Sequence, residues 1–383
     1  MKKTIIVLLL AIAMQNFAFA QKVFTPDEIA AIANNGSGIS GPGKPIEGAG
    51  WGDWRDGAGK GGPSKRATGS VVANGLLPSI KPILDAHIRD AVVILGGDCN
   101  YYLTGSTGDN IWAHADGVEL WRSKDLKNWN YMGLVWTIEK DGTWEKKWAD
   151  LHGKPARALW APELHYIKGN YYICLSMPPT GISILKSTTG KPEGPYVNTA
   201  ADPSQPFVKG IDPTLLQDDD GKVYFTWAGA NHIGLMKNDM SGFDGPLHDV
   251  KLSNPDHDPT HHVARCEGRG MNDFGTEGAI LFKANGKYYL GAADDYQGRY
   301  SSCVGISDNI YGPYHDRHEI VPCGGGTNFF KDKQGNWWSS FFGNDTQSPW
   351  REKPGLVRIE FAADGKVVVS KNQPFAVDIP VSK

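Results

Sequence analysis

The chain has 383 residues, 40% hydrophobic and 21% charged, which is enough apolar content to bury a large core and too much for a disordered chain. Its 47 Gly, 24 Pro and 13 Trp argue against an all-helical protein and for many short strands joined by turns. The formal charge of -3 supplies no basic field for a phosphate backbone, which weighs against nucleic acid as a partner and for a neutral or mildly polar ligand.

Residues 1–20 read as a secretory signal: Lys2 and Lys3, an apolar run from Ile5 to Met14, and Ala18-Phe19-Ala20 as a small-x-small cleavage site. The expected location is therefore periplasmic or secreted. The apolar run is too short to span a bilayer, so no membrane insertion is expected. Gln21 rather than Cys follows the cut, so no lipid anchor is indicated. Thr25-Pro26-Asp27-Glu28 then forms a capping box with Pro at the first helical position, ahead of one short helix that Asn35-Gly36 stops. From Gly36 to about Ser70 the chain is crowded with Gly, Pro and Lys and shows neither helical nor strand periodicity. Residues 21–80 are thus expected to form a helix and then an extended arm over the domain or a linker, Trp51 and Trp54 favouring the docked arm.

Residues 81–383 repeat themselves. Aromatic strand cores recur at Tyr101-Tyr102, Tyr171-Tyr172, Tyr224-Phe225, Tyr288-Tyr289 and Trp337-Trp338, most of them after a polar Gly turn such as Lys168-Gly169 or Asn285-Gly286. The spacings, 70, 53, 64 and 49 residues, are each about one four-stranded blade, so the fold class is all-β, a five-bladed β-propeller. Gly194-Pro195-Tyr196 recurs as Gly312-Pro313-Tyr314. A β-sandwich predicts no such long repeat. Of the five cysteines, a Cys266–Cys303 bridge and separately buried thiols are equally compatible with the spacing.

In a propeller the strand before each aromatic pair is the innermost, and counting back finds a different residue in each blade. Asp90 lies 11 before Tyr101, Trp160 lies 11 before Tyr171, Asp212 lies 12 before Tyr224, Glu277 lies 11 before Tyr288 and Gly326 lies 11 before Trp337. Three carboxylates at matched repeat positions converge on one axis, where desolvation and repulsion separate their pKa values. Glycosidic bond hydrolysis needs such a set: one carboxylic acid protonates the leaving oxygen while an opposed carboxylate activates water. Trp160 offers a flat face to a sugar ring. Glu163 does not share the offset and is read as supporting the strand end, while His165, Asp116, Asp294, Arg299 and Arg351 are candidate substrate contacts at the rim. Arg265 and Arg269 are further candidates for a charged sugar. His257, His261 and His262 have H-x3-H spacing, but a Pro-containing loop is a poor metal scaffold and no metal is assigned.

The sequence resembles glycoside hydrolase family 43 and its five-bladed relatives. The likeness rests on Arg89-Asp90, Trp160-Ala161-Pro162-Glu163-Leu164, Ile211-Asp212-Pro213-Thr214 with Asp218-Asp219-Asp220-Gly221, and Thr276-Glu277-Gly278-Ala279, across about residues 85–365. The resemblance implies an inverting mechanism with Asp90 as general base, Glu277 as general acid and Asp212 orienting that acid and tuning its pKa. The carboxyls of base and acid are then expected about 6.5–9.5 Å apart. Two departures stand out. Ala91 and Ala279 replace the family's usual prolines, and Gly324-Gly325-Gly326 stands where many members have a Gly-His pair whose histidine sits on the axis, often near calcium. Hence no cofactor is assigned, and structural calcium is not indicated.

The expected substrate is a plant or algal polysaccharide or its oligosaccharides, attacked in the exo sense. The resemblance centres on α-L-arabinofuranosidase and β-xylosidase activities. The alternatives are a galactosidase or galactanase on the same fold, a phosphorolytic enzyme, against which Asp90 argues, and a noncatalytic glycan-binding propeller, which has no need of three converging acids. Oligomeric state is not legible.

Overall fold

The computed structural model describes residues 24–34 and 82–374, apart from 108–110, 112, 152, 179–180, 231, 254–273, 297–298, 323 and 344–352. The expected signal, Trp51 and Trp54, the three clustered histidines and Arg265, Arg269 and Arg351 lie outside these residues. Within them, each aromatic pair stands on the second strand of its own antiparallel sheet, and the sheets are the five blades.

Blade 1 comprises Ile88–Leu95, Tyr101–Thr107, Gly117–Ser123 and Trp129–Thr137. Blade 2 comprises Trp160–Ile167, Asn170–Met177, Gly181–Ser187 and Tyr196–Asn198, with Val208–Lys209 also paired to the third strand. Blade 3 has Thr214–Gln217, Val223–Thr226, His232–Leu235 and His248–Asp249, and blade 4 has Glu277–Ala284, Lys287–Tyr296, Arg299–Ser307 and His315–Val321. Blade 5 has Gly324–Lys331, Trp337–Gly343, Pro354–Phe361 and Val367–Val369. The strand before each aromatic pair is the innermost, as its offset predicts, and the five first strands pack on one another.

Local chemistry makes the hairpins. Lys168 and Gly169, like Asn285 and Gly286, both have positive φ, the two-residue turn whose twist matches that of the flanking strands. The aromatic pairs then fill the seams between blades. Tyr102 meets Tyr171 edge to face at 6.0 Å, and Tyr224 meets Tyr311 at 5.9 Å. Burying each such ring contributes roughly 1.5–3 kcal/mol. The two Gly-Pro-Tyr units repeat in conformation too: both prolines are cis, and the Tyr196 and Tyr314 hydroxyls donate to the Pro192 and Ile310 carbonyls, each at 2.7 Å.

Among the described residues the ring closes without a shared strand, because all four strands of blade 5 come from the C-terminal part of the chain. Blades 5 and 1 are joined instead by a mixed core of Ile88, Leu103, Phe330, Trp338 and Leu356 and by polar clasps. Ser340 Oγ donates to the Ala91 carbonyl at 2.6 Å, and Val93 N donates to Asn328 Oδ1 at 3.0 Å. Ile83 N, just ahead of blade 1, donates to the Pro354 carbonyl at 2.9 Å.

The N-terminal helix spans Pro26–Asn34, and its capping box is formed: Thr25 N donates to Glu28 Oε2 at 2.8 Å and Glu28 N to Thr25 Oγ1 at 3.3 Å. The helix packs against Lys154–Ala156, one strand of a small hairpin with Ala149–Leu151. Among the described residues no helix is long and apolar enough to cross a membrane. Cys174 and Cys303 are buried and Cys99 is exposed, while Cys266 and Cys323 lie outside the described residues.

Candidate active site

All five inner strands begin with the same irregularity. Arg89 pairs with Ser106 and Val92 with Thr104, so three steps on the inner strand face two on its neighbour. Trp160 to Glu163, Glu277 to Ile280 and Gly325 to Asn328 repeat that bulge. Ile211 to Thr214 does so as well, since Ala228 N donates to the Ile211 carbonyl and Thr214 pairs with Thr226. The second residue of each bulge has positive φ: Asp90 50°, Ala161 44°, Asp212 52°, Gly278 67° and Gly326 51°. A left-handed residue at the head of a strand turns the preceding and following side chains inward together.

The bulge corrects the register read from spacing. Asp90 and Asp212 share one structural position, but Glu277 stands one residue earlier, level with Arg89, Trp160, Ile211 and Gly325. The carboxylates converge nonetheless. Asp90, Asp212 and Glu277, all half-buried, line one cavity of about 200 Å³ with Arg89, Trp160 and Ser106.

Two serines that spacing did not single out hold this geometry. Ser106 Oγ donates to Asp90 Oδ2 at 2.7 Å and accepts from Ala161 N of the next blade at 2.7 Å. Ser176 Oγ does the equivalent one blade on, donating to the Trp160 carbonyl at 3.1 Å and accepting from Asp212 N at 3.3 Å. Each lies five residues after the first tyrosine of its blade's aromatic pair, a recurrence that marks them in the sequence. Asp212 Oδ2 accepts from Gly278 N at 2.8 Å, which ties it to the backbone beside Glu277. Tyr300, from the third strand of blade 4, donates its hydroxyl to Glu277 Oε1 at 2.9 Å. The Trp160 indole is fixed by Nε1–H donating to the Ile111 carbonyl at 2.9 Å.

Electrostatics single out Asp212. Burial, then the charges of Asp90 and Glu277, push the Asp212 carboxyl well above the usual carboxylate range, against the pull of the Gly278 N–H. Burial and the Glu277 charge likewise raise the Tyr300 phenol, which stays a proton donor at neutral pH.

The triglycine stretch has a local cause. A Cβ on Gly325 would lie 2.0 Å from Tyr300 Cε1, and one on Gly326 would lie 2.4 Å from Asp90 Cα. Tyr300 and Asp90 therefore occupy the volume that side chains there would need. The stretch offers no side-chain ligand for an axial cation, and among the described residues no group of three or more His, Cys, Asp or Glu could hold a metal ion. Gly326→Ala is expected to displace Asp90 and lower kcat about 10²-fold, with the far-UV circular dichroism of the propeller retained. Unchanged kinetics in a folded Gly326→Ala variant would contradict this packing.

Asp294, His165, Glu163 and Asp116 are not among the described residues that line the cavity. Asp294 is fully buried and ion-paired at 3.0 Å with Arg317, itself buried, so it supports blade 4 and is no rim contact. His165 bonds Glu163 Oε2 at 3.0 Å and borders a separate cavity of about 420 Å³ near the far ends of the inner strands. Glu163 is buried on the inner strand, and its charge adds to the rise of Asp212. Asp116 lies 3.7 Å from His114 Nε2, and its carbonyl accepts from Ile138 N. Arg299 opens the third strand of blade 4.

The family model for glycosyl hydrolases family 43 matches residues 80–367. A xylosidase/arabinosidase of Butyrivibrio fibrisolvens is 27% identical over 57% of this chain and 38% of its own length. The extracellular endo-alpha-(1->5)-L-arabinanase 1 of Bacillus subtilis is 26% identical over 67% of this chain and 76% of its own. The chain thus spans 38% of the length of the first of these relatives. Among solved structures, an endo-1,4-beta-xylanase from Bacteroides thetaiotaomicron superposes with a TM-score of 0.55 at 22% identity, covering 77% of this chain and 97% of that one, a likeness of fold.

Proposed function

Since the chain belongs to glycosyl hydrolase family 43, we propose that it hydrolyses glycosidic bonds in a plant or algal polysaccharide or its oligosaccharides, by inversion. The observation that carries this reading is the convergence of Asp90, Asp212 and Glu277, with the Trp160 face, on one small cavity. In this mechanism Asp90, held through Oδ2 by Ser106, takes a proton from the water that attacks the anomeric carbon. Glu277 gives its proton to the departing oxygen. Asp212 grips Gly278 N and so fixes the backbone that carries Glu277. The roles are distinct because the environments are.

The cavity, about 200 Å³, is smaller than the roughly 300–1,000 Å³ of pockets for drug-sized ligands and suits a single sugar ring, which favours exo action. Relatives named as xylosidases, arabinosidases and arabinofuranosidases favour pentose substrates. One relative, in Aspergillus niger, is named a beta-D-galactofuranosidase, so galactosides belong in the test. Residues 1–20, and the extracellular relatives, support export of the protein. The test is aryl alcohol release from aryl α-L-arabinofuranosides, β-D-xylosides and galactosides. Turnover of a pentoside is expected, turnover of a galactoside alone would move the substrate assignment, and sugar binding without turnover on the panel or on oligosaccharides would favour the glycan-binding propeller.

A further inference from the structure

Four of the five bulges present a side chain at their first position, namely Arg89, Trp160, Ile211 and Glu277, all of which border the cavity. The fifth presents Gly325. The volume left there is taken by the Tyr300 ring, which comes from the blade before, sits 6.1 Å from the Phe342 ring and is itself buried. Arg89 stacks on the other side of the same region, its guanidinium carbon 4.2 Å from the Phe342 centroid. A phenol locked in this way donates to Glu277 Oε1.

We propose that Tyr300 is the positioning residue of the acid, holding Oε1 so that Glu277 carries its transferable proton on Oε2 and is received as a carboxylate by a hydrogen bond already in place. The proposal rests on Glu277 being the general acid. Oε1 accepts the phenol proton in both states of the carboxyl, so the acid proton is left to the other oxygen. No bond to Tyr300 is made or broken in the step: the proton moves from Oε2 to the leaving oxygen, and the phenol stays protonated. The bond from the phenol to Oε1 is thus in place before the proton leaves Oε2, and it meets the charge that then develops. The described ionisable groups that line the cavity with Glu277 are Asp90, Asp212 and Arg89.

The test compares wild type, Tyr300→Phe, Glu277→Gln and the double variant on aryl glycosides of graded leaving-group pKa, with kcat and KM measured separately. Phenylalanine keeps the ring against Gly325. Tyr300→Phe is expected to lower kcat about 10- to 100-fold on poor leaving groups and much less on good ones, with KM little changed. In the Glu277→Gln background the same change should add no leaving-group dependence. Loss spread evenly over all leaving groups, or no loss, would overturn the positioning role while Glu277→Gln still shows its own dependence. If Glu277→Gln itself shows none, the assignment of the acid fails instead.

Discussion

Glu277→Gln is expected to lower kcat/KM about 10²- to 10⁴-fold on substrates whose leaving group is another sugar, because an alkoxide of high pKa cannot depart without a proton. The same variant should lose far less on an aryl glycoside whose phenol leaves unaided. Glutamine keeps an acceptor for the Tyr300 hydroxyl and nearly the same volume, so the loss reports the missing proton and not a collapsed wall. Michaelis kinetics on a matched pair, one disaccharide and one nitrophenyl glycoside, check it. Equal losses on both would remove Glu277 from the acid role.

Asp212→Asn is expected to cut activity by about 10²-fold or more while raising the temperature of unfolding at neutral pH. The two effects share a cause. Burial and the neighbouring charges on Asp90 and Glu277 raise the Asp212 carboxyl, so the folded state binds its proton more tightly than the unfolded chain does. Such a group contributes its stability in full below the unfolded value, near pH 4, and loses it as pH rises toward the folded one. At neutral pH the wild type bears the cost of charging this carboxyl or of drawing a proton to it, which the neutral amide lacks, whereas the amide oxygen can still accept from Gly278 N. Melting curves across pH should show the variant ahead at pH 7 and level with wild type below about pH 4. A variant less stable at pH 7 would mean that the ionised carboxylate holds the site together.

Much of this molecule is legible along the chain, because a propeller writes its period into the sequence. The Tyr101, Tyr171, Tyr224, Tyr288 and Trp337 pairs each mark a second strand, and counting back from them reaches Asp90, Trp160, Asp212 and Glu277. What spacing cannot show is the bulge. Its extra residue lets Glu277 sit level with Arg89 and not with Asp90, yet still face the same cavity. Contacts between strands are equally hidden. Asp294 reads as a rim acid until Arg317, from the fourth strand of the same blade, is found against it. His165 reads as a rim contact, but the strand that Trp160 opens runs away from the site and carries it to the other cavity. Tyr300 has no offset to betray it, and its signal is negative: a glycine at the one bulge where the other four blades place a side chain.

The central claim is that Asp90, Glu277 and a water between them make an inverting site. The most direct test is proton NMR of the anomeric signal of the first sugar released by the wild-type enzyme, recorded before mutarotation, on the best substrate of the panel. A product of configuration opposite to the bond cleaved is the expected result. A product of retained configuration would require one of these carboxylates to bond the sugar covalently, and would contradict the assignment of Asp90 as a base acting through water.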